Sequence, residues 1–180
     1  MCFQCPECKS NNLLNKKNFI LCKSCERKYP IIFNTIPDFT PLAGYKNKKG
    51  YLYTYSYSSK LYEYGRKSFL MKISTGLSFA EEKKLLLKNM QLLPDSGVLD
   101  IGCGTGIFTR QFAKICSNTK VWGLDYSYSQ LKQAIIFKKK EKIKNLFYVH
   151  SLATRIPFKN EYFDRVSTVG AMQFFKDFKF

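Results

Sequence analysis

The chain has 180 residues, 45% of them hydrophobic and 24% charged, the balance of a folded globular protein and not of a disordered one. No apolar run reaches the roughly 20 residues that a membrane-spanning helix needs. The start, Met1-Cys2-Phe3-Gln4-Cys5-Pro6, has neither the basic nor the apolar stretch of a secretory signal, so a cytoplasmic or organelle-interior location is expected. Thirty Lys and Arg against 13 Asp and Glu give a net charge of +17, which favours anionic partners, RNA among them. The excess is spread along the chain; only Lys138, Lys139, Lys140, Lys142 and Lys144 form a dense cluster, where a solvated helix end competes with a nucleic-acid surface.

Composition divides the chain into residues 1–40, 41–77 and 78–180. The first part carries five of the seven cysteines and ends in the turn-prone Ile36-Pro37-Asp38-Phe39-Thr40-Pro41. The second is basic and tyrosine-rich, with Ser58 to Lys72 reading as an amphipathic helix. In the third, Ala80 to Met90 reads as a helix with Glu81 and Glu82 in its first turn and Leu85, Leu86 and Met90 facing inward. After the turn Pro94-Asp95-Ser96-Gly97, strands are expected at Val98–Ile101, Lys120–Leu124, Leu146–Val149 and Phe163–Val169. Helices are expected at Ile107–Cys116 and Ser127–Lys139, with Ser127 as N-cap. This alternation predicts an α/β fold on a parallel sheet with right-handed crossovers.

Cys5-Pro6-Glu7-Cys8 and Cys22-Lys23-Ser24-Cys25 are two C-x-x-C pairs separated by 13 residues. Each such turn aims both sulfurs to one side, so the pairs together predict a four-thiolate zinc site that leaves no position open for catalysis. Cys2 is a spare thiol with the same spacing to Cys5.

Asp100-Ile101-Gly102-Cys103-Gly104-Thr105-Gly106 turns a buried strand toward a helix. The spacing is G-x-G-x-G, not the G-x-G-x-x-G of dinucleotide folds, and an acid stands before the first glycine. A carboxylate there would repel a pyrophosphate but suits a phosphate-free ligand carrying a cationic amino-acid moiety, such as S-adenosylmethionine. One strand later, Asp125 lies 23 residues beyond Gly102, at the spacing from which an acid reaches ribose hydroxyls. Tyr126 follows it and can lie against adenine.

From about Glu81 to Phe175 the chain resembles the class I methyltransferases of the type found in quinone biosynthesis and in plastid lipid droplets. Asp100 to Gly106 matches their first motif and Gly123-Leu124-Asp125-Tyr126-Ser127 their second. Arg155-Ile156-Pro157-Phe158 with Tyr162-Phe163-Asp164-Arg165-Val166 matches their third signature. The cysteine segment, with Tyr29-Pro30-Ile31-Ile32-Phe33 after it, resembles the zinc ribbon that precedes certain methyltransferases, including ribosomal RNA guanine methyltransferases.

The resemblance implies a Rossmann-like sheet, incomplete at about four strands of seven, preceded by a zinc ribbon. It implies a methyltransferase acting on a small or lipid-like acceptor, with RNA methylation and a non-catalytic S-adenosylmethionine-binding role as alternatives. The expected cofactor residues are Asp100, Gly102, Cys103, Gly104, Gly106, Asp125, Tyr126, Ser151 and Leu152; the expected metal ligands are Cys5, Cys8, Cys22 and Cys25. Leu152 stands where the family commonly has an adenine-binding Asp, which leaves adenine to a main-chain group or to Ser151. Gln173 stands where a His is frequent. His150, the only histidine, reads as structural. No general base is identified, and the fourth strand's open edge leaves room for a partner chain that completes the sheet.

Overall fold

The computed structural model describes residues 2–40 and 76–172, together with Gly65 and Lys72. Apart from those two residues, the tyrosine-rich segment and its expected helix lie outside the described residues, as does Gln173.

Four short strands open the chain: β1 (Leu13–Asn15), β2 (Phe19–Cys22), β3 (Lys28–Ile32) and β4 (Ile36–Pro37). They pair antiparallel in the order β1-β2-β3-β4. Helix α1 (Phe79–Met90) follows. Ser78 caps it in a capping box: its hydroxyl accepts the Glu81 amide while the Glu81 carboxylate accepts the Ser78 amide at 2.8 Å. Met90 is buried and Leu86 packs on the core, but Leu85 is 52% exposed and points outward, contrary to the periodicity reading.

The remaining elements are β5 (Val98–Ile101), α2 (Thr109–Ile115), β6 (Val121–Asp125), α3 (Tyr128–Lys140), β7 (Leu146–His150) and β8 (Arg165–Ser167). The four strands form a parallel sheet in the order β7-β6-β5-β8, so the first two connections cross over through α2 and α3. Helix α2 is shorter than its apolar pattern predicts, because residues 104–108 are spent on turns and Phe108 at the N-cap offers no capping side chain. Ser127 caps α3 as expected, accepting from the Gln130 amide. Strand β8 is also shorter than expected. The backbone before it is diverted to Gly97, whose carbonyl accepts the amides of Asp164 and Arg165.

Alternation along the strands sends neighbouring side chains to opposite faces. Val98, Val121, Leu146 and Tyr148 share a core with Phe108, Phe112, Leu131 and Ala134 from the helical side. Leu99, Trp122, Leu124 and Val149 share the other core with Phe3, Ile20, Tyr29 and Phe39 from the cysteine-bearing segment. That segment therefore covers the second face of the parallel sheet. Its chain end also runs along the outer edge of β7, where the Phe39 amide donates to the His150 carbonyl at 2.8 Å. A sheet edge that would otherwise offer unpaired donors and acceptors is covered in this way. Val166 on β8, at the opposite edge, is 57% exposed.

Candidate functional site

The loop after β5 and the end of β6 meet at the carboxyl ends of the strands. The amides of Gly102 and Cys103 both donate to the Leu124 carbonyl, at 2.8 and 3.0 Å. Beyond them, the Gly104 amide donates to Asp125 Oδ2 at 2.6 Å, and Asp125 Oδ1 accepts the Ser127 amide at 2.7 Å. Asp125 thus joins the loop to the start of α3 while staying partly exposed. Burial raises its carboxyl above the usual range in spite of these amide donors.

Two glycines in the loop are required for different reasons. Gly106 has φ +76°, and a Cβ there would run into the Tyr148 hydroxyl, so a side chain is excluded by both conformation and space. Among the described residues, nothing lies nearer to a would-be Cβ at Gly104, at φ +55°, than Gln130 Oε1 at 4.0 Å. None of them fills the space in front of Gly104. Gln130 is 8% exposed, and its buried Oε1 has no hydrogen-bond partner among the described residues. An uncompensated buried acceptor costs stability, and a ligand donor in the cradle would relieve that cost.

Asp100 does not line this space. It is 3% exposed and accepts a hydrogen bond from Thr109 Oγ1 at 2.5 Å. Burial pushes its carboxyl up to about 7, the Thr109 hydroxyl opposes that rise, and the nearby Asp125 charge adds to it. The expectation of a direct carboxylate contact to a ligand's cationic group is therefore corrected. Asp100 shares a sheet face with Val98, the face that α2 covers, so its side chain turns inward. Cys103 is likewise buried, its thiol raised well above the usual value by burial.

Ser151 is fully buried, and its hydroxyl donates to the Arg155 carbonyl at 2.8 Å, closing a local turn while its oxygen keeps acceptor lone pairs. Leu152 beside it is partly exposed. Tyr126 is partly exposed and stacks on the His150 ring, with centroids 5.7 Å apart and planes at 22°.

Sequence reasoning passed over Gln130 and Arg110. Arg110, 2% exposed, donates to the Thr105 carbonyl at 2.7 Å and pairs with Glu141 at 2.6 Å, holding the glycine loop from behind. An arginine four residues after the last loop glycine, on an otherwise apolar helix face, was the available signal.

The second constellation lies in the amino-terminal segment. The Sγ atoms of Cys5, Cys8, Cys22 and Cys25 all lie within 4.8 Å of one another, with Cys5–Cys25 at 3.7 Å and Cys8–Cys22 at 3.6 Å. Four thiolates at roughly 2.3 Å from a tetrahedral zinc ion would stand roughly 3.8 Å apart. The donor set fits that ion. Burial alone would raise the Cys5 thiol, but the Cys8 amide, the Tyr29 hydroxyl at 3.0 Å and the Glu7 amide bring it down to about 7. At Cys25 the Arg27 amide acts downward, yet desolvation and the three neighbouring sulfurs push the thiol up to about 12. Four such groups ionise together only beside a cation.

Residues 98–180 match the family described as "Methyltransferase domain". This part of the chain is similar to methyltransferase domains. Over 104 residues the chain is 33% identical to the demethylmenaquinone methyltransferase of Staphylococcus saprophyticus, a match covering 55% of this chain and 43% of that protein. Over 84 residues it is 36% identical to the chloroplastic 2-methyl-6-phytyl-1,4-hydroquinone methyltransferase of Arabidopsis thaliana, covering 47% and 24%. Over 124 residues it is 32% identical to a sterol 24-C-methyltransferase of Gibberella zeae, covering 65% and 32%. The chain spans less than half the length of each of these relatives.

Among solved structures, a putative S-adenosyl-L-methionine-dependent methyltransferase of Methanococcus maripaludis superposes with a TM-score of 0.56 at 19% identity, covering 68% of this chain and 53% of that one. The chain therefore shares the fold of that structure over the matched part. No helix among the described residues is long and apolar enough to cross a membrane.

Proposed function

We propose that this chain binds S-adenosylmethionine against Gly102–Gly106 and Asp125 and transfers its methyl group to a small or lipid-like acceptor. The hydrogen bond from Gly104 to Asp125 carries the reading, because it brings the two motifs into one cradle whose front none of the described residues fills. The bound cofactor supplies a methyl group made electrophilic by its sulfonium. Asp125, partly exposed and with lone pairs beyond those the amides use, accepts the ribose hydroxyls. Tyr126 flanks the adenine, and Leu152 with the main chain beside it forms the apolar wall. Asp100 acts from beneath the loop, through its charge and Thr109, without touching the ligand. Alignment of donor and acceptor for in-line displacement is then the protein's main contribution.

The acceptor class rests on the relatives, which are named for hydroquinone, demethylmenaquinone and sterol substrates. Zinc held by Cys5, Cys8, Cys22 and Cys25 is a structural ion in this reading, since four thiolates close its coordination.

Calorimetry of the zinc-loaded full chain with S-adenosylhomocysteine tests the cofactor assignment. Micromolar binding is expected, and a flat titration with folded protein would overturn it. Methyl transfer from labelled cofactor to a prenylated hydroquinone tests the acceptor. Salt-sensitive retention of RNA together with RNA labelling would move the acceptor to RNA.

A further inference from the structure

The cysteine-bearing segment touches the sheet at the end of β7, directly beside the cradle. Asp38 Oδ1 lies 3.0 Å from His150 Nδ1, and the opposite ring nitrogen, Nε2, lies 2.8 Å from the Tyr126 carbonyl. The Tyr126 ring stacks on the same imidazole. His150 is paired across the sheet with Asp125, and the Ser151 amide donates to the Asp125 carbonyl at 3.1 Å. Thr40 steadies the far end, its amide and hydroxyl both donating to Asp38 Oδ1, at 2.9 and 2.6 Å. One chain of contacts therefore runs from the ribbon's last residues, through a buried imidazole, to the backbone and ring that follow Asp125. A positively charged His150 would donate from Nε2 to the Tyr126 carbonyl and pair electrostatically with the Asp38 carboxylate, whose oxygen lies close to Nδ1 without hydrogen-bond geometry.

We propose that Asp38 and His150 are positioning residues for the adenosyl pocket, so that docking of the four-cysteine segment sets how tightly the methyltransferase domain holds its cofactor. This rests on the cofactor reading above. Without the Asp38 contact, the imidazole loses one of its two anchors and Tyr126 loses a fixed partner. The strand end then samples orientations in which the ribose acid and the adenine flank no longer face a common ligand. Preorganisation of this kind appears in affinity and not in new contacts.

The test is S-adenosylhomocysteine affinity of the full zinc-loaded chain by calorimetry, with zinc content and Tm measured on each sample. Asp38→Asn, nearly isosteric, and His150→Phe are each expected to weaken binding about fivefold to twentyfold with zinc content unchanged. The double variant should be no weaker than the worse single one, because both act through one contact. Arg155→Ala removes a different tie between segment and sheet, the ion pair of Arg155 with Glu7. It should lower Tm while leaving affinity within twofold. If the unaltered chain binds and both Asp38→Asn and His150→Phe match it within twofold, the inference is overturned alone. If Arg155→Ala weakens binding as much as Asp38→Asn, the effect is general loosening and the inference is again overturned. No binding by the unaltered chain would remove the cofactor reading and this inference with it.

Discussion

Gly104 donates its amide to Asp125 Oδ2 at 2.6 Å, so the glycine loop of one strand is tied to the acid that ends the next. Each residue alone is ordinary; joined, they stand at the carboxyl ends of a parallel sheet, where ligands of such folds bind.

Replacing the two loop glycines should separate ligand space from protein space. Gly104→Ala meets only backbone strain, about 1 kcal/mol, and should fold with a Tm a few degrees lower while losing tenfold or more in S-adenosylhomocysteine affinity. Gly106→Ala drives a methyl group into Tyr148 and should lose stability first. Thermal melts beside calorimetry distinguish these; equal stability loss in both variants would contradict the open space in front of Gly104.

Asp100 should make the protein less stable as pH rises. Its folded pKa of about 7 lies above the ordinary 3.8, so the folded state holds its proton more tightly than the unfolded state does. Stability from this group is present below about pH 4, falls as pH climbs to about 7 and then levels off. Asp100→Asn keeps an acceptor for Thr109 and removes the buried charge. Its Tm should exceed that of the unaltered chain at pH 8 and converge with it near pH 4; a constant offset across that range would sink the assignment.

Removing the metal should expose the second face of the sheet. Trp122 is the chain's only tryptophan and packs edge-on against Phe3 at 5.1 Å and Phe158 at 5.2 Å, beneath the cysteine-bearing segment. A strong chelator should release one zinc per chain and shift the Trp122 emission to longer wavelength. Cys8→Ser should do the same without chelator. Emission that stays put after complete zinc loss would show that the segment holds its place without the ion.

Gln130 carries a test of the cradle that leaves the loop untouched. Gln130→Leu removes a buried acceptor that has no partner among the described residues, so the ligand-free protein should be as stable as the unaltered chain or more so. Cofactor affinity should still fall about threefold to tenfold. Unchanged affinity by calorimetry would place Gln130 outside the ligand's reach.

The alternation of parallel strands and helices in residues 78–180 was legible because local signals repeat: short apolar runs, turn residues, acids in the first turn of α1 and a Ser before α3. The cysteine quartet was legible for a related reason, since a C-x-x-C turn aims its own sulfurs. The direction of Asp100 was also within reach, because strand parity places it with Val98, on the face that Thr109 covers. Motif matching looked past that parity.

By itself, then, the sequence determined the strand–helix alternation of residues 78–180, the two cysteine pairs and the two motifs at the strand ends, all of which are written within short stretches of chain. Only the tertiary structure decided that the cysteine-bearing segment covers the second sheet face, that Asp38 meets His150, and that Gln130 Oε1 is buried without a partner among the described residues. Those contacts join residues far apart in the chain. They are selected by shape and burial once the cores pack, and nothing in the local pattern at either end encodes the other.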